Sequence, residues 1–175
     1  MTPKARAIVI DPTRIEIEPP AALIGVELWG DAAELRARLP VFGQSAPFDD
    51  GWRAIGVEPT VWWLTGPLED RFSRVAAIAE AVARDGAAID LTGAVVRFRI
   101  TGRRWRSLLT IGGIFDAEDP AFANGASVGT ILHHVSVRHE VLGEDIVAVH
   151  VAPSYADHLH HHLRAAAARL DIGEP

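Results

Sequence analysis

Histidines are the residues in this sequence whose type and spacing most readily suggest chemistry, and the chain of 175 residues has eight of them. His158 and His162 are four residues apart, so both project from one side of a predicted helix. Two imidazoles at this spacing can bind zinc. The sequence offers neither an HExxH glutamate nor an evident third ligand, and the pair borders an apolar stripe. Packing, or contact with a partner subunit, is therefore the favoured interpretation; a metal-dependent enzyme is the alternative.

Two adjacent histidines, His133 and His134, are predicted to lie within a strand over 128–141. His133 then shares a strand face with apolar residues and is predicted to be a hydrogen-bonded core or pocket histidine. Ser127, His133 and Asp145 could form a triad on paper, but no G-x-S-x-G nucleophile elbow supports it. No glycine-rich phosphate-binding pattern is present either. We therefore predict no catalytic residue and no metal site.

Arginines are concentrated in one short stretch, with five of them inside ten residues: Arg97, Arg99, Arg103, Arg104 and Arg106. The formal net charge of −6 argues against general nucleic-acid binding, which depends on neutralising phosphates. The favoured interpretation is a solvated strand face followed by a helix start. The alternative is a patch for an acidic partner or an anionic ligand.

Tryptophan is abundant, with five residues, and two of them are adjacent. Trp62 and Trp63 point to opposite faces of a predicted strand, so one can enter the core while the other faces a ligand or a subunit. An aromatic excess of this kind is compatible with a protein–protein interface.

Composition limits the class of protein. The absence of cysteine excludes disulfides, thiol catalysis and cysteine-based metal sites. No apolar run approaches the ~20 residues that a membrane span needs. The first residues resemble no secretory signal. A cytoplasmic protein without membrane or nucleic-acid partners is the expectation.

Residues 1–20 are predicted to form an extended arm, because four prolines interrupt this stretch. The first half of the fold follows this arm. Short edge strands are predicted at 7–10 and 15–17. The following half, 21–91, is predicted to contain these elements: a strand at 23–29, a helix at 32–39 capped by Asp31, a loop at 40–51, strands at 52–57 and 60–65, a helix from Gly66-Pro67 to Gly86 with Leu68, Phe72, Val75, Ala79 and Val82 on its buried face, and a closing strand at 87–91.

The second half, 92–175, repeats that order. In the stretch 96–101 apolar and polar residues alternate as in a half-buried strand, and Trp105, Leu108 and Leu109 have helical spacing. A hairpin turning at Leu142-Gly143-Glu144 follows, and the last helix has Tyr155, Leu159, Leu163, Ala166 and Leu170 on its stripe. The repeated order predicts an α+β fold of two ferredoxin-like βαββα halves forming one compact unit. One mixed sheet with four helices and no duplication is the alternative.

The sequence resembles the gamma subunit of heterotetrameric sarcosine oxidase, over roughly residues 50–170. The resemblance rests on small and apolar positions rather than on an invariant motif. It is carried by Asp90-Leu91-Thr92, VVRFRITG at 95–102, Leu108-Leu109, Asp116, Phe122, Gly125, Thr130-Ile131-Leu132, VAPSYADHLHHHL at 151–163 and the segment Pro59-Thr60-Val61-Trp62-Trp63-Leu64.

That gamma subunit resembles the folate-binding domain of aminomethyltransferases such as the glycine cleavage T-protein, which implies the duplicated fold. The resemblance implies an accessory, non-catalytic chain of an N-methyl amine oxidising complex, with FAD, FMN and NAD held by larger flavoprotein subunits. The hairpin HHVSVRHEVLGEDIV lacks the Gly-Gly-x-x-Asp-Asp pattern of the aminomethyltransferases, which counts against aminomethyl transfer. A stand-alone protein that binds tetrahydrofolate remains the alternative.

Two sets of residues follow as candidates. For a folate or ligand pocket they are Trp63, His133, Glu140 and Asp145. For contacts with other subunits they are Trp62, Arg103, Arg104, Arg106, His158 and His162.

Overall fold

A computed structural model describes residues 13–172, and within them the chain forms ten strands and four α-helices. The strands are β1 (Arg14–Ile17), β2 (Ala22–Leu28), β3 (Ser45–Asp49), β4 (Trp52–Glu58), β5 (Val61–Gly66), β6 (Gly86–Asp90), β7 (Val96–Thr101), β8 (Ser127–Leu132), β9 (Val135–Gly143) and β10 (Ile146–Val151). The helices are α1 (Ala33–Arg36), α2 (Arg71–Val82), α3 (Trp105–Thr110) and α4 (Ala156–Ile172). Short 3₁₀ turns, Leu68–Asp70 and Pro153–Tyr155, precede α2 and α4.

The strands form two antiparallel five-stranded sheets of the same design. Sheet I has the order β3-β4-β5-β2-β6, and sheet II has the order β8-β9-β10-β7-β1. Strands β2 to β5 therefore correspond to β7 to β10, and the fifth position is taken by β6 in one sheet and by β1 in the other. The α+β class and the two related halves are confirmed, and each sheet has five strands where a βαββα unit has three.

The N-terminal edge strand explains how the second half obtains its fifth strand. β1 pairs with β7 along Arg14–Ile17, which confirms the strand predicted at 15–17. The strand predicted at 7–10 lies outside the described residues. Because β1 belongs to sheet II, residues 14–17 of the arm are part of that sheet; the boundaries 1–20, 21–91 and 92–175 stay a prediction.

Each sheet packs against its own helices, and one apolar core lies between them. Phe98 and Ile100 of β7 are fully buried against α3 and α4, as their alternation predicted. Trp105, Leu108 and Leu109 are also fully buried, which confirms the stripe of α3. On α4, Leu159, Leu163 and Ala166 are buried. Tyr155 precedes that helix, in a 3₁₀ turn, and is half exposed, so its place on the stripe was wrong.

The first half departs from its predicted elements in three places. The predicted loop at 40–51 contains β3, whose pairing with β4 outweighs the local preference of Pro47 for an irregular chain. The helix predicted at 32–39 shortens to α1, and its N-cap position is Ala32 instead of Asp31, with no side-chain cap hydrogen bond. On α2 the sheet buries Ile78 and Val82, while Phe72 is exposed. Leu68 lies in the preceding 3₁₀ turn and Ala79 is exposed, so those three positions of the predicted stripe were wrong.

The strand predicted over 128–141 is two strands. It is interrupted by a two-residue turn at His133 and His134, whose φ angles are 47° and 68°. Positive φ at both central residues is the geometry of the type I′ hairpin turn. The second hairpin, between β9 and β10, is confirmed, but its turn lies at Glu144 and Asp145 and not at Leu142-Gly143-Glu144, because β9 extends to Gly143.

Candidate functional site

Polar side chains meet between the two sheets, on the faces that are turned away from the helices. Alternation along β9 puts Val137 and Val141 in the core of sheet II and Glu140 on the other face. Residues of sheet I approach that face. Arg53 of β4 bonds to Glu140, and the ring of Trp63 lies 6.1 Å from that of His150 on β10. This layer between the sheets is the candidate functional site.

Glu140 is the centre of the layer and is fully buried. Its Oε1 accepts a hydrogen bond of 2.9 Å from Arg53 Nε, and its Oε2 lies 3.4 Å from an Arg97 guanidinium nitrogen and 3.3 Å from His150 Nε2. Arg53 also donates to the hydroxyl of Ser45 at 3.1 Å. The carboxylate therefore has partners from both halves of the chain.

Electrostatics keeps Glu140 ionised and His150 neutral. Burial alone would raise the pKa of Glu140, but the hydrogen bond from His150 and the charges of Arg97 and Arg53 hold it below its usual value. Burial lowers the pKa of His150 below its usual value, against the opposing effect of Glu140. Because an ionised carboxylate only accepts hydrogen bonds, His150 donates from Nε2 and its Nδ1 is an acceptor.

A second contact between the sheets lies beside the first. Arg138 of β9 donates to Ser127 Oγ and to the carbonyl of Val57, each at 3.2 Å. Its guanidinium lies 5.7 Å from the ring centroid of Trp63. Burial lowers the Arg138 pKa, with Glu58 opposing, yet arginine stays protonated at any physiological pH. The indole of Trp63 thus lies between an imidazole and a guanidinium.

A cavity opens at the end of this layer, where the segment after β1 passes both sheets. Its volume is about 280 Å³, and its lining includes Pro19, Pro20, Thr65, Val96, Arg97 and His150. Most of the thirteen lining residues are apolar, while Arg97 and His150 join the cavity to the charged cluster around Glu140.

The remaining predicted pocket residues lie elsewhere. His133 is in the β8–β9 turn, so its mid-strand placement was wrong. Glu140 pairs with Ser127, five positions along the hairpin from the Leu132–Val135 pair that flanks the turn, a distance of roughly 17 Å at about 3.4 Å per residue. Asp145 is exposed in the β9–β10 turn. The geometry unites Trp63 and Glu140, and it separates the residues of the Ser127–His133–Asp145 triad.

Three histidine rings stack where the β8–β9 turn meets α4. The ring of His133 stacks against those of His158 and His162, with centroid distances of 5.0 and 4.0 Å and interplanar angles of 18° and 12°. His162 Nε2 also lies 3.0 Å from the carbonyl of Ile111. Burial and the neighbouring imidazoles lower the pKa of His133. Stacked rings do not direct their nitrogens at one point, and within residues 13–172 no group of three or more potential ligands has metal-binding geometry.

A glycine makes room for this stack. Gly112 has a φ of 78°, and a Cβ added there would lie 3.1 Å from the His162 ring. Any other residue would be strained in its backbone and would crowd the imidazole.

The predicted interface residues have varied surroundings. Trp62 is 3% exposed and donates to the carbonyl of Pro40 at 2.7 Å, so its prediction as an interface residue was wrong: it faces the core. Arg104 donates to the carbonyl of Leu170, and Arg106 to those of Ala117 and Phe122. Arg103 and His158 are exposed. Two of the three arginines thus hold backbone carbonyls of their own chain.

Three residues of the site, Arg53, Arg138 and His150, were missed from the sequence, and Arg97 was predicted to lie on a solvated strand face. The available signal was their strand position, since each alternates with core residues and thus lies on the second face of its sheet. That signal becomes informative once the second faces of the two sheets are known to meet.

Comparison with known proteins identifies the fold. No protein-family model and no curated protein matches the sequence. A chain of the heterotetrameric sarcosine oxidase from Corynebacterium sp. U-96 matches the structure with a TM-score of 0.83 and 17% identity, over 93% of this chain and 87% of that one. The aminomethyltransferase T of the glycine cleavage system from Bartonella henselae matches with a TM-score of 0.68 and 16% identity, over 87% of this chain but 45% of that one. The predicted resemblance is thereby confirmed at the level of the fold: this chain has the architecture of a sarcosine oxidase chain, which also recurs within aminomethyltransferase T.

Proposed function

We propose that this chain is an accessory, non-catalytic subunit of a sarcosine-oxidase-like complex that oxidises N-methyl amines. The observation that carries the proposal is the extent of the structural match. The fold is shared along 93% of this chain and 87% of the sarcosine oxidase chain, with a TM-score of 0.83. A match over nearly the whole length of both chains favours an equivalent part in an assembly over a module cut from a larger protein.

The chemistry of the site supports the same role. A general acid or base needs a pKa near the working pH. The buried Glu140, with its pKa held below its usual value, is instead a fixed anion that binds arginines from both sheets. Its natural role is to hold the two halves together.

In this proposal the redox chemistry belongs to larger flavoprotein subunits, which hold FAD, FMN and NAD. This chain contributes surface to the assembly. A cytoplasmic location belongs to the same proposal. Within residues 13–172 no helix is both long and apolar enough to cross a membrane.

Co-expression tests the proposal directly. This chain, carrying an affinity tag, would be produced together with candidate flavin-binding oxidase subunits from the same organism. The expected result is a stoichiometric complex that elutes as one species and oxidises an N-methyl amine. The matched control is the same set with an unrelated tagged protein. A stable monomer of this chain that leaves the flavoproteins behind would contradict the proposal.

A folate-binding protein is the second candidate, favoured by the match to aminomethyltransferase T. It requires an acidic residue at a central ligand site. Glu144 and Asp145 are exposed in a turn, while Glu140 is central but bound to Arg53 and Arg97. Titration with tetrahydrofolate would report on Trp63, whose ring is half-buried beside His150. Unchanged tryptophan fluorescence at millimolar tetrahydrofolate would reject this candidate.

A further inference from the structure

Three imidazoles stack where the β8–β9 turn meets α4, and this contact carries an inference that is independent of the subunit role. We call the group of His133, His158 and His162 the histidine stack. The His133 ring lies 5.0 Å from that of His158 and 4.0 Å from that of His162, with interplanar angles of 18° and 12°. Nearly parallel rings at these distances pack face to face, so the stack joins the tip of the hairpin to the last helix.

Hydrogen bonds bring the loop after α3 into the same contact. The amide of His133 donates to the carbonyl of Gly112 at 2.8 Å, and His162 Nε2 lies 3.0 Å from the carbonyl of Ile111. Because a carbonyl only accepts, His162 donates from Nε2. It keeps this hydrogen bond when its ring is protonated, since both nitrogens of an imidazolium are donors. A proton therefore acts on the contact through the stacked rings and not through this bond.

The groups around the histidine stack can add positive charge and supply no acid to balance it. On the turn, the ring of His134 lies 5.6 Å from that of His133. On α4, His161 and Arg169 line the same cavity as the stack, and the loop after α3 contributes uncharged residues to that lining. No Asp or Glu is among the described residues that line this cavity, and Asp157, the acid nearest the stack along α4, lies outside the lining.

Protonation of His133 opposes the stacking. Its ring is half-buried, and burial, together with the neighbouring imidazoles, lowers its pKa below the ordinary value of 6.5. A second protonated ring only 4.0 Å away would repel it directly. In a released turn His133 regains the ordinary pKa. The contact is therefore intact above pH 6.5 and weakens as the pH falls below that value.

We propose that the histidine stack is a pH-sensitive contact, through which acidification below about pH 6.5 releases the β8–β9 turn from α4. Leu132 and Val135 flank the turn, pair with each other and belong to the core of sheet II, so the release is confined to the turn itself. In the released state the His133 amide loses its hydrogen bond to Gly112, which provides a local reporter.

Hydrogen exchange of the full chain, followed by NMR at pH 7.5 and pH 5.0, provides the test. Each rate is compared with the intrinsic rate at the same pH to give a protection factor. The His133 amide is expected to lose about tenfold in protection at pH 5.0, the factor that one unit of pKa shift produces. The amides of Val147 and Val149, buried in the central strand β10, should stay protected and report an intact core. Unchanged protection at His133, or equal exchange at β10 and the turn, would overturn the proposal.

Two asparagine variants assign the effect to the stack. His133→Asn removes the stacked ring and keeps a residue that tolerates positive φ, so protection of the turn should lose its pH dependence. His134→Asn makes the same change at the next turn position, whose ring is exposed and tilted by 47° from that of His133, and should keep the wild-type response. Equal responses in the two variants would refute the proposal.

The imidazole resonances of the wild-type chain decide the matter if His133→Asn fails to fold. His133 should then titrate below pH 6.5, in step with the loss of protection at its amide. A His133 pKa at or above that value would show that the stack does not oppose protonation, which would also overturn the proposal.

Discussion

At the scale of single residues, Glu140 is the side chain on which the site most depends. It is fully buried, and its charge is offset by Arg53 and Arg97. Glu140→Gln keeps the shape but leaves Arg53 without a charged partner in a poorly solvated position. Removing one member of a buried ion pair costs about 3 kcal/mol or more. We therefore expect a loss of about 3 kcal/mol in the free energy of unfolding, measured by urea denaturation.

The matched control for that change is Glu16→Gln, on the exposed side of β1. Surface substitutions of this kind usually change stability by less than about 0.5 kcal/mol. Equal urea midpoints for the two variants would mean that the buried ion pair of Glu140 and Arg53 contributes nothing to the free energy of unfolding.

His139 makes a separate prediction about pH. Its ring is buried near Phe115 and Phe122, and burial, with a smaller effect of His150, lowers its pKa to about 3. Below the unfolded value of 6.5 the unfolded chain binds a proton that the folded chain does not, so stability falls as the pH falls from 6.5 towards 3. His139→Phe removes this group. Between pH 5.5 and 4 the dependence of stability on pH should become shallower by about 1.4 kcal/mol per pH unit.

The comparison with the wild-type chain at pH 8 separates titration from packing. At pH 8 the histidine is neutral in the folded and in the unfolded chain. Any difference in the free energy of unfolding therefore reports how well the phenyl ring fits. Chemical denaturation at several pH values gives both quantities. An unchanged slope between pH 5.5 and 4 would show that His139 takes up its proton in the folded state.

At the scale of elements, the β8–β9 hairpin is the one whose sequence least reveals its structure. Its turn residues, His133 and His134, have positive φ, a conformation that costs a residue other than glycine about 1–2 kcal/mol. His133 is retained by its stacking against α4, whereas His134 is exposed. His134→Gly should therefore raise the free energy of unfolding by about 1 kcal/mol. Ser136→Gly, two residues later in extended β9, should lower it by about 0.5–1 kcal/mol.

Thermal unfolding of both glycine variants checks this prediction. Destabilisation by both would show that the turn costs His134 little, since glycine then brings its entropy penalty without relieving strain.

The elements that the sequence predicts well are those whose apolar residues recur with a clear period. β7 and α3 have a clear period, and their buried faces match it. The elements that failed have ambiguous local signals. The His133-His134 turn lacks the Asn-Gly signature of type I′ turns, and β3 contains a proline. Both are fixed by pairing with distant or neighbouring strands, which periodicity does not encode.

At the scale of the whole molecule, the site arises from packing two similar halves face to face. Trp63 and Glu140 could be predicted as candidates from their own positions. Arg53 could not, because its partner Glu140 lies 87 residues away in the other half. The equivalent design of the sheets, with β1 taking the place in sheet II that β6 has in sheet I, is likewise visible once pairing is known. Sequence reasoning thus recovers the repeat, and the structure supplies the contacts between its copies.

Assembly is the property of the whole molecule that the arginine cluster bears on. Arg104 and Arg106 bind carbonyls of their own chain, which leaves the exposed Arg103 as the member of that group most available to another subunit. If the proposed accessory role is right, Arg103→Glu should weaken association with the flavoprotein subunits about tenfold or more, as reversal of a contact charge does at other interfaces. The free chain should keep its unfolding midpoint, because this side chain is exposed.

Arg164→Glu makes the same change at an exposed position of α4 and should leave association unaffected. Biolayer interferometry at two salt concentrations measures both variants, and the Arg103 effect should shrink at high salt because exposed charges are screened. Equal binding by the two variants would remove Arg103 from the interface and direct attention to another surface of the chain.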